Sequence, residues 1–251
     1  YLTVAAVNSD GTPGSEGTIS GFLVAASASV TNDIESTVVV SHDAPVIFPL
    51  GSTLVTFTAT DTAGNQGQAT ATVTVSDQSV PVITLVGSNS ITLNFGDSYT
   101  DQEATAADNV DGDITTDIQM TGTVDTTTVA IYTLTYTVKD AANNTAIPVT
   151  RSVSVQDAGA PVVTAPANII VAAIDANGTA ATDVGITTFL AQATATDDVD
   201  GTITPVSNDA PNPFPLGLTT VTFSVLDQAG NEGSAQATVN ATDQTKPEVI
   251  L

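Results

Sequence analysis

An acidic stretch, Asp108–Asp113 (DNVDGD), recurs along the chain and determines how its domains are divided. It returns at residues 197–201 (DDVDG), and an eroded copy stands at residues 32–36 (NDIES). About thirty residues after each copy comes a second motif, Asp-x-Ala-x-Asn. A third motif follows the second and places an Asp four residues before a proline. The second motif lies at Asp61–Asn65, Asp140–Asn144 and Asp227–Asn231, and the third at Asp77–Pro81, Asp157–Pro161 and Asp243–Pro247.

The third motif gives the period of the repeat. Asp157 follows Asp77 by 80 residues, and Asp243 follows Asp157 by 86. Self-similarity at a fixed period indicates tandem units, and units of this size suit small β-sandwiches. We therefore predict three domains, here called repeats one, two and three, at residues 1–77, 78–157 and 158–246. Residues 247–251 are predicted to be the first strand of a following repeat or a strand donated to another chain. Repeat one lacks the proline-led opening strand.

Alternating apolar and Thr residues predict strands with one buried and one solvated face. Three segments show the alternation most clearly: 54–60, 132–138 and 221–225. β-Branched Thr suits the solvated face of a pleated sheet. No segment combines helical periodicity with caps, so no helix is predicted. The predicted fold class is all-β: three tandem immunoglobulin-like β-sandwich domains in an extended rod.

The charge is strongly acidic. The 251 residues carry 27 acidic side chains against Lys139, Arg151 and Lys246, a net charge of −24. Three scattered cations cannot form the basic patch that nucleic acid or an anionic membrane surface requires. The charge favours cations as ligands. There is no cysteine, so disulfides and thiolate metal sites are excluded, and no apolar run is long enough to insert into a membrane.

Further segments carry a resemblance to known families: 48–51 and 61–65 in repeat one, 81–85, 96–101, 108–113, 124–126, 132–136 and 151–153 in repeat two, and 165–169, 193–201, 214–217 and 227–231 in repeat three. On these segments, repeat three resembles the hyalin repeat family of extracellular Ig-like modules, and repeat one is similar to the same family. Repeat two resembles the bacterial surface Ig-like domain that recurs in adhesins. These resemblances imply the Ig-like fold and a secreted or cell-surface location, and the chain is interpreted as a piece of a longer protein.

Clustered carboxylates make the acidic motifs candidate Ca²⁺ sites. Ca²⁺ takes six to eight oxygen ligands in a flexible cage, and three Asp side chains within one short turn repel each other unless a cation lies between them. Mg²⁺ prefers fewer protein ligands and a strict octahedron. Asp101 or Asp157 would add ligands from the edge of repeat two. The predicted ligands are Asp108, Asp111, Asp113 and Asp140 in repeat two, and Asp197, Asp198, Asp200 and Asp227 in repeat three.

A second interpretation of these aspartates is open. Asp accepts backbone hydrogen bonds in Asx turns and Gly tolerates positive φ, so both motifs also suit plain turns. Asp77, Asp157 and Asp243 either cap a turn or ligate an ion at the junction between repeats; with one Asp per linker, the cap is favoured. In repeat one, Asn32, Asp33 and Glu35 hold fewer charges, so a site there has less support.

Signatures of catalysis are missing from the sequence. His42 is the only histidine, and there is no cysteine nucleophile. Gly-x-Ser-x-Gly elbows and phosphate-binding Gly-rich loops do not occur. No Trp is present to form a stacking platform for sugars. The chain is therefore predicted not to be an enzyme.

The predicted function is a non-enzymatic, Ca²⁺-stabilised stalk or filament segment of a secreted or cell-surface protein. Its predicted partners are neighbouring repeats, copies of itself and an unknown surface ligand. Copies would join head to tail if residues 247–251 added a strand to repeat one of the next chain. Two alternatives stay open: an accessory carbohydrate- or protein-binding module of a secreted enzyme, and an adhesive tip that binds through loops 7–21 or 174–188.

Overall fold

The computed structural model describes residues 2–5, 16–27 and 38–248. Strands dominate it, so the all-β class is confirmed. The eroded motif at residues 32–36 and the chain end at 249–251 lie outside the described residues. No helix in the described ranges is long and apolar enough to span a membrane.

Repeat one contains a four-stranded sheet with the strand order β1-β4-β3-β2, in which β1 runs parallel to β4. The alternation predicted for residues 54–60 places Val55 and Phe57 on the buried face of β3. The helix α1 covers this face with Ile19. The elements are β1 (Leu2–Ala5), α1 (Glu16–Ser27), β2 (Val39–His42), β3 (Gly51–Thr60) and β4 (Gln66–Ser76).

Repeat two contains two sheets, with the orders β6-β11-β10-β9 and β5-β7-β8. The alternating segment 132–138 buries Leu134, Tyr136 and Val138, as the sequence predicts. The acidic motif forms the turn between β7 and β8. The strands are β5 (Val82–Leu85), β6 (Ser90–Asn94), β7 (Ala104–Asp108), β8 (Gly112–Asp113), β9 (Gln119–Thr121), β10 (Ala130–Thr137) and β11 (Val149–Gln156), with a 3₁₀ turn at Thr115–Asp117.

Repeat three also contains two sheets, with the orders β13-β18-β17-β16 and β12-β14-β15. The first has the same parallel outer pairing as the sheet of repeat one, here between β13 and β18. Val221, Phe223 and Val239 are fully buried in its core. The elements are β12 (Val162–Thr164), β13 (Ile169–Ala172), α2 (Val184–Leu190), β14 (Thr194–Asp197), β15 (Gly201–Ile203), β16 (Ser207–Asn208), β17 (Gly217–Leu226) and β18 (Glu232–Thr242).

The prediction that the chain has no helix is wrong at α1 and α2. Asp183 caps α2, because its Oδ1 accepts the N–H groups of Gly185 at 2.8 Å and Ile186 at 3.4 Å. Seven residues are too few for a helical period to be recognised, yet α2 buries Ile186 and Phe189 in the core of repeat three. The segments predicted as loops, 7–21 and 174–188, therefore both contain helical residues, although residues 7–15 lie outside the described ranges.

Packing divides the chain into two compact units. One consists of Tyr1–Ile91, Thr100–Thr123 and Thr133–Ser152, and the other of Thr92–Tyr99, Val124–Tyr132 and Val153–Leu251. The division runs across the long strands of repeat two. The three-domain boundaries at 77/78 and 157/158 therefore stay a prediction from the sequence repeat.

Candidate metal centres

The Asp-x-Ala-x-Asn motif closes a small loop in the same way in each repeat. In repeat two, Asp140 Oδ1 accepts the backbone N–H of Asn144 at 2.7 Å, and its Oδ2 accepts the Asn144 side-chain amide at 2.7 Å. The residue before the Asn has positive φ, and it is Gly64 or Gly230 in two loops and Asn143, at +70°, in the third. Positive φ favours Gly and tolerates Asn, so one local geometry explains the motif.

The acidic motif forms a hairpin turn that its first Asp holds in place. Asp108 Oδ1 accepts the N–H groups of Val110 at 2.7 Å and Asp111 at 3.2 Å. Gly112 follows with a φ of +74°. Repeat three has the same turn, in which Asp197 Oδ1 accepts from Val199 at 2.8 Å and from Asp200 at 3.0 Å. The turn geometry thus accounts for one oxygen of the first Asp in each repeat, and in repeat two the other oxygen, Asp108 Oδ2, is buried without a hydrogen-bond partner.

A carboxylate joins the acidic turn to the Asp-x-Ala-x-Asn loop in both repeats. Asp111 Oδ2 accepts the N–H of Ala141 at 2.9 Å. In repeat three the same bond runs from the N–H of Gln228 to Asp200 Oδ2 at 2.7 Å. Two motifs that are about thirty residues apart in sequence therefore meet at one end of each sandwich.

The linker residues Asp77 and Asp157 each lie beside the two motifs of the following repeat. Asp77 Oδ1 accepts the N–H of Ser79 at 2.9 Å, and Asp157 Oδ1 accepts that of Gly159 at 3.1 Å. The linker prolines that follow, Pro81 and Pro161, are buried. Proline fixes φ, and its burial secures the start of the next repeat against the body of the fold. The linker is therefore part of the packed structure at the point where the acidic motifs meet.

Four carboxylates converge in repeat two, and we call them the first carboxylate group: Asp77, Asp108, Asp111 and Asp140. Each contributes an oxygen, and these oxygens all lie within 4.8 Å of one another. Asp108 is 8% exposed and Asp140 6%. Oδ2 of Asp77 and Oδ2 of Asp108 are buried and have no hydrogen-bond partner. Buried polar atoms are normally satisfied, so two unpartnered carboxylate oxygens in one cluster are chemically suited to bind a cation.

Basic side chains do not compensate this charge. Among the described residues the one salt bridge joins Arg151 to Asp101. Arg151 is fully buried, donates to the carbonyls of Ser88 and Glu103, and lies over the ring of Tyr136. The prediction that Asp101 adds a ligand from the edge of repeat two is therefore wrong, because its carboxylate neutralises a buried guanidinium instead.

Three carboxylates converge in repeat three, and we call them the second carboxylate group: Asp157, Asp197 and Asp227. Asp157 and Asp197 also line a small cavity of about 120 Å³, together with Asn94, Phe95 and the exposed Asp198. Asp157 thus belongs to this group and not to the group of repeat two, where the sequence prediction considered it. The oxygens of the second group lie within 4.8 Å of one another, as in the first group.

The pKa values of the second group differ between its members. Partial burial raises the pKa of Asp157 above its ordinary value, and the neighbouring charges of Asp197, Asp227 and Asp200 add to this effect. For Asp227, burial also acts upward, but hydrogen bonds from the side chain and backbone of Asn231 outweigh it and lower its pKa. Burial, and to a smaller extent the neighbouring carboxylates, therefore disfavour the ionised form of Asp157 and keep its pKa raised.

Five of the eight predicted ligands lie in the two groups, and three do not. Asp113 follows the turn in β8, is exposed and accepts the N–H of Thr115 at 3.0 Å; hydrogen bonds from Thr115 lower its pKa. Asp200 lies outside the second group, although its Oδ2 accepts the N–H of Gln228 just as Asp111 accepts that of Ala141, and Asp198 is exposed. Conversely, Asp77 and Asp157, predicted from the sequence to cap turns, are members of the two groups. Their fixed position four residues before a proline was the available signal in the sequence.

The other candidate positions have structural explanations. His42 lies in β2 with its ring 6.0 Å from that of Phe57, in an edge-to-face contact. Asp61 in repeat one accepts both donors of Asn65, but no carboxylate group forms around it in the described residues. Asp243 repeats the linker geometry, with the Thr245 N–H on its Oδ1 at 2.9 Å. The loop geometry is therefore shared by all repeats, whereas the carboxylate groups occur where a linker Asp meets the following repeat.

Oxygen chemistry, clustering and charge fit a hard divalent cation. Carboxylates and backbone carbonyls are the ligands of Ca²⁺, which tolerates irregular geometry and bidentate binding. Three or four carboxylates leave coordination positions for carbonyls and water, as Ca²⁺ sites usually have. Without a cation, the same carboxylates repel one another at short range.

Two family models match the chain. The model described as the HYR domain matches residues 19–75 and 156–241, and the model described as a bacterial surface protein Ig-like domain matches residues 83–155. The HYR model accounts for more than half of the chain, which therefore belongs to the HYR domain family. The hyalin-repeat resemblance of repeats one and three and the surface Ig-like resemblance of repeat two are confirmed.

Curated relatives agree with this assignment. The chain is 34% identical over 219 residues to hyalin of Lytechinus variegatus, covering 81% of this chain and 39% of that protein. It is 34% identical over 221 residues to hyalin of Strongylocentrotus purpuratus, covering 84% of this chain and 18% of that protein. The chain therefore spans less than half of the length of either relative.

Solved structures show weaker similarity. Drosophila N-cadherin EC1-4 aligns with 78% of this chain and 59% of its own, with a TM-score of 0.34 and 13% identity. Protocadherin gamma B2 extracellular cadherin domains 1–5 align with 78% of this chain and 47% of their own, with a TM-score of 0.38 and 11% identity. Both TM-scores are below the level at which two chains share a fold.

Proposed function

We propose that this chain is a non-enzymatic structural and adhesive segment of an extracellular protein, and that Ca²⁺ links its successive repeats. The observation that carries the proposal is the first carboxylate group, in which the buried Asp77 and Asp108 oxygens have no partner. A bound cation supplies the partner that the described residues lack.

Each carboxylate group lies at a junction between two repeats, and this position indicates what a bound ion would do. Asp77 ends the sequence of repeat one, whereas Asp108, Asp111 and Asp140 belong to repeat two. Asp157 stands in the same relation to Asp197 and Asp227. An ion held by both sides opposes separation of the linker from the next repeat, because separation would leave several carboxylates unpaired. The ion therefore stiffens the chain at each junction, which is what a stalk or filament requires.

The experiment that tests this proposal is thermal unfolding of the whole chain in excess Ca²⁺ and in EDTA. A cation that binds only the native state adds about 2.7 kcal/mol per site at a hundredfold excess over Kd. We expect Tm to rise with Ca²⁺, and a smaller rise with Mg²⁺ at the same concentration. Isothermal titration calorimetry should show two ions for the two groups of the described residues.

A double variant, Asp108→Asn with Asp197→Asn, supplies the matched control. Both substitutions keep the side-chain oxygen that caps the acidic turn and remove one charge from each group. The double variant should lose the Ca²⁺-dependent rise in Tm and remain folded in EDTA. A wild-type chain whose Tm is the same in Ca²⁺ and EDTA would contradict the metal part of the proposal.

Head-to-tail association is a further part of the proposal. Pro247 and Glu248 are exposed, and residues 249–251 lie outside the described residues. If the segment 247–251 donates a strand to the next chain, the mass measured by light scattering should rise with concentration, and a chain shortened to residue 246 should remain monomeric. A full-length chain that stays monomeric at high concentration would contradict the proposal of head-to-tail association.

The alternative, an accessory module of a secreted enzyme, makes a different prediction. In its carbohydrate-binding form it requires retention on a polysaccharide column, whereas a stalk segment elutes with the void marker. Retention on an insoluble polysaccharide would favour the alternative.

A further inference from the structure

The Asn that ends each Asp-x-Ala-x-Asn loop makes one contact that the loop itself does not require. Asn144 Nδ2 donates to Asp140 Oδ2 at 2.7 Å and also to the backbone carbonyl of Asp77 at 3.3 Å. Asn231 Nδ2 donates in the same way to Asp227 Oδ2 at 2.8 Å and to the carbonyl of Asp157 at 3.5 Å. One amide thus joins a carboxylate of the group to the backbone of the linker Asp.

Repeat one shows that the second contact is separable from the first. Asn65 donates its backbone N–H to Asp61 Oδ1 at 2.8 Å and its side-chain amide to Asp61 Oδ2 at 2.9 Å. Within the described residues it has no linker carbonyl to bind, yet the loop closes with the same hydrogen bonds. The contact with the linker is thus additional to the hydrogen bonds that close the loop, and Asn144 and Asn231 make it in the described residues.

The acceptors on both sides fix the orientation of the amide. Asp140 Oδ2 and the Asp77 carbonyl are both acceptors, so only the NH₂ side of Asn144 can face them. This orientation uses both protons of the amide. A carboxylate in the same position would place an oxygen against two oxygens and would repel the linker.

The hydrogen bond from Asn144 to the Asp77 carbonyl also affects how the Asp77 carboxylate is placed. Ser79 N–H occupies Asp77 Oδ1 at 2.9 Å, and Asn144 holds the Asp77 carbonyl. The remaining oxygen, Oδ2, is the buried and unpartnered one, and Asp77 contributes an oxygen to the first carboxylate group. Asp77 Oδ1 is bonded to Ser79 and the Asp77 carbonyl to Asn144, so Oδ2 is the oxygen that Asp77 has left to bind a cation.

We propose that Asn144 and Asn231 are positioning residues for the cations: each holds the linker Asp so that a carboxylate from the preceding repeat enters the site of the following one. This proposal rests on the cation sites of the proposed function. Outer partners that orient a metal ligand typically contribute about 10–100-fold to metal affinity. The asparagine therefore decides whether the ion is shared between repeats or held by one alone.

The test is Ca²⁺ calorimetry on the whole chain with Asn144→Ala and, as matched control, Asn65→Ala. Both variants remove the same bond inside the loop, but only Asn144→Ala removes the bond to a linker. We expect Asn144→Ala to weaken one of the two sites by about 10–100-fold and to leave the other unchanged. Asn65→Ala should leave both affinities unchanged. Asn231→Ala tests the same effect at the second group independently.

A double variant separates positioning from direct ligation. If Asn144 acts through Asp77, Asn144→Ala should cause little further loss in a chain that already carries Asp77→Asn, because the linker ligand is already gone. Asn144→Asp should also weaken the site. A tighter site in Asn144→Asp would mean that the side-chain oxygen ligates the ion and would overturn the positioning role.

The outcomes distinguish the positioning role of the asparagines from the cation binding on which it rests. A wild-type chain that binds no Ca²⁺ overturns the proposed metal function, and the positioning role with it. A wild-type chain that binds Ca²⁺ with unchanged affinities in Asn144→Ala and Asn231→Ala overturns only the positioning role.

Discussion

Asp108 shows how one side chain serves both a turn and a cation site. Its Oδ1 accepts two backbone N–H groups, which hold the acidic turn, whereas its buried Oδ2 has no partner. A buried polar atom without a partner typically costs about 1–3 kcal/mol. The two interpretations of the acidic motif, turn former and metal ligand, therefore apply to different atoms of the same residue.

Asp108→Asn should have opposite effects in the two metal states. In EDTA we expect the variant to be more stable than wild type by about 1–2 kcal/mol, because a buried unpaired charge becomes neutral. In excess Ca²⁺ it should be less stable, because the first site loses a ligand. Chemical unfolding in both buffers measures this, with Asp113→Asn as control because Asp113 lies outside the group. A variant that is destabilised equally in both buffers would contradict a metal role for Asp108.

Asp157 should make the second site sensitive to pH. Its pKa is raised above the ordinary 3.8, so between 3.8 and the raised value the folded chain keeps a proton that the unfolded chain has lost. The stability of the metal-free protein attributable to Asp157 therefore falls as pH rises through this interval and stays low above it. Ca²⁺ competes with that proton, so its affinity should fall as pH decreases into the interval.

The measurement compares wild type with Asp157→Asn across this pH range. In EDTA the variant should be the more stable protein above the interval and equal to wild type below pH 3.8. In Ca²⁺ at neutral pH the order should reverse. A difference in EDTA that does not change with pH would show that Asp157 ionises normally.

At the scale of elements, α2 illustrates a feature that residue patterns conceal. Asp183 caps it, and Ile186 and Phe189 fill the core beside Phe223, with the Phe189 and Phe223 ring centroids 5.7 Å apart. A seven-residue helix has little stability of its own. Its cap and its burial maintain it, and both depend on the surrounding sheet.

Asp183→Ala should destabilise repeat three by about 1 kcal/mol, the usual cost of losing an N-cap. Asp183 belongs to neither carboxylate group, so the loss should be the same in Ca²⁺ and in EDTA. Asp183→Ser, which keeps an acceptor, should retain most of the stability. Chemical denaturation of the three proteins measures this, and a loss confined to the Ca²⁺ buffer would refute the capping role.

For the whole molecule, the net charge of −24 acts on stability through repulsion. Salt screens exposed charges over about 10 Å at 0.1 M and over shorter distances at higher concentration. We expect metal-free protein to gain about 1 kcal/mol, or about 2–4 °C in Tm, when NaCl is raised from about 0.01 to 0.5 M.

Equal ionic strength of CaCl₂ and NaCl then separates screening from binding. CaCl₂ should add a further rise that the double variant Asp108→Asn with Asp197→Asn lacks. If the Tm of the wild-type chain rises equally in both salts, the acidic motifs act only as general surface charge.

Much of the fold could be predicted because its determinants are local. The alternation around Phe57, Tyr136 and Phe223 identifies strands because successive side chains point to opposite faces. The same locality limits the prediction at α2, where seven residues do not define a helical period. The candidate site could be predicted only in part, since Asp108 and Asp113 are indistinguishable in sequence as members of one acidic turn.

The repeat, the all-β class, the acidic charge and the turn chemistry of each motif can be inferred from the chain alone, because they depend on residues a few positions apart. Which carboxylates meet depends on the folded arrangement of the chain. Asp77 and Asp140 are more than sixty residues apart in the chain, yet each contributes an oxygen to the same group, whereas Asp113, two residues from Asp111, turns to Thr115. Proximity in a folded chain is set by strand pairing and linker packing, and spacing within a motif does not report it.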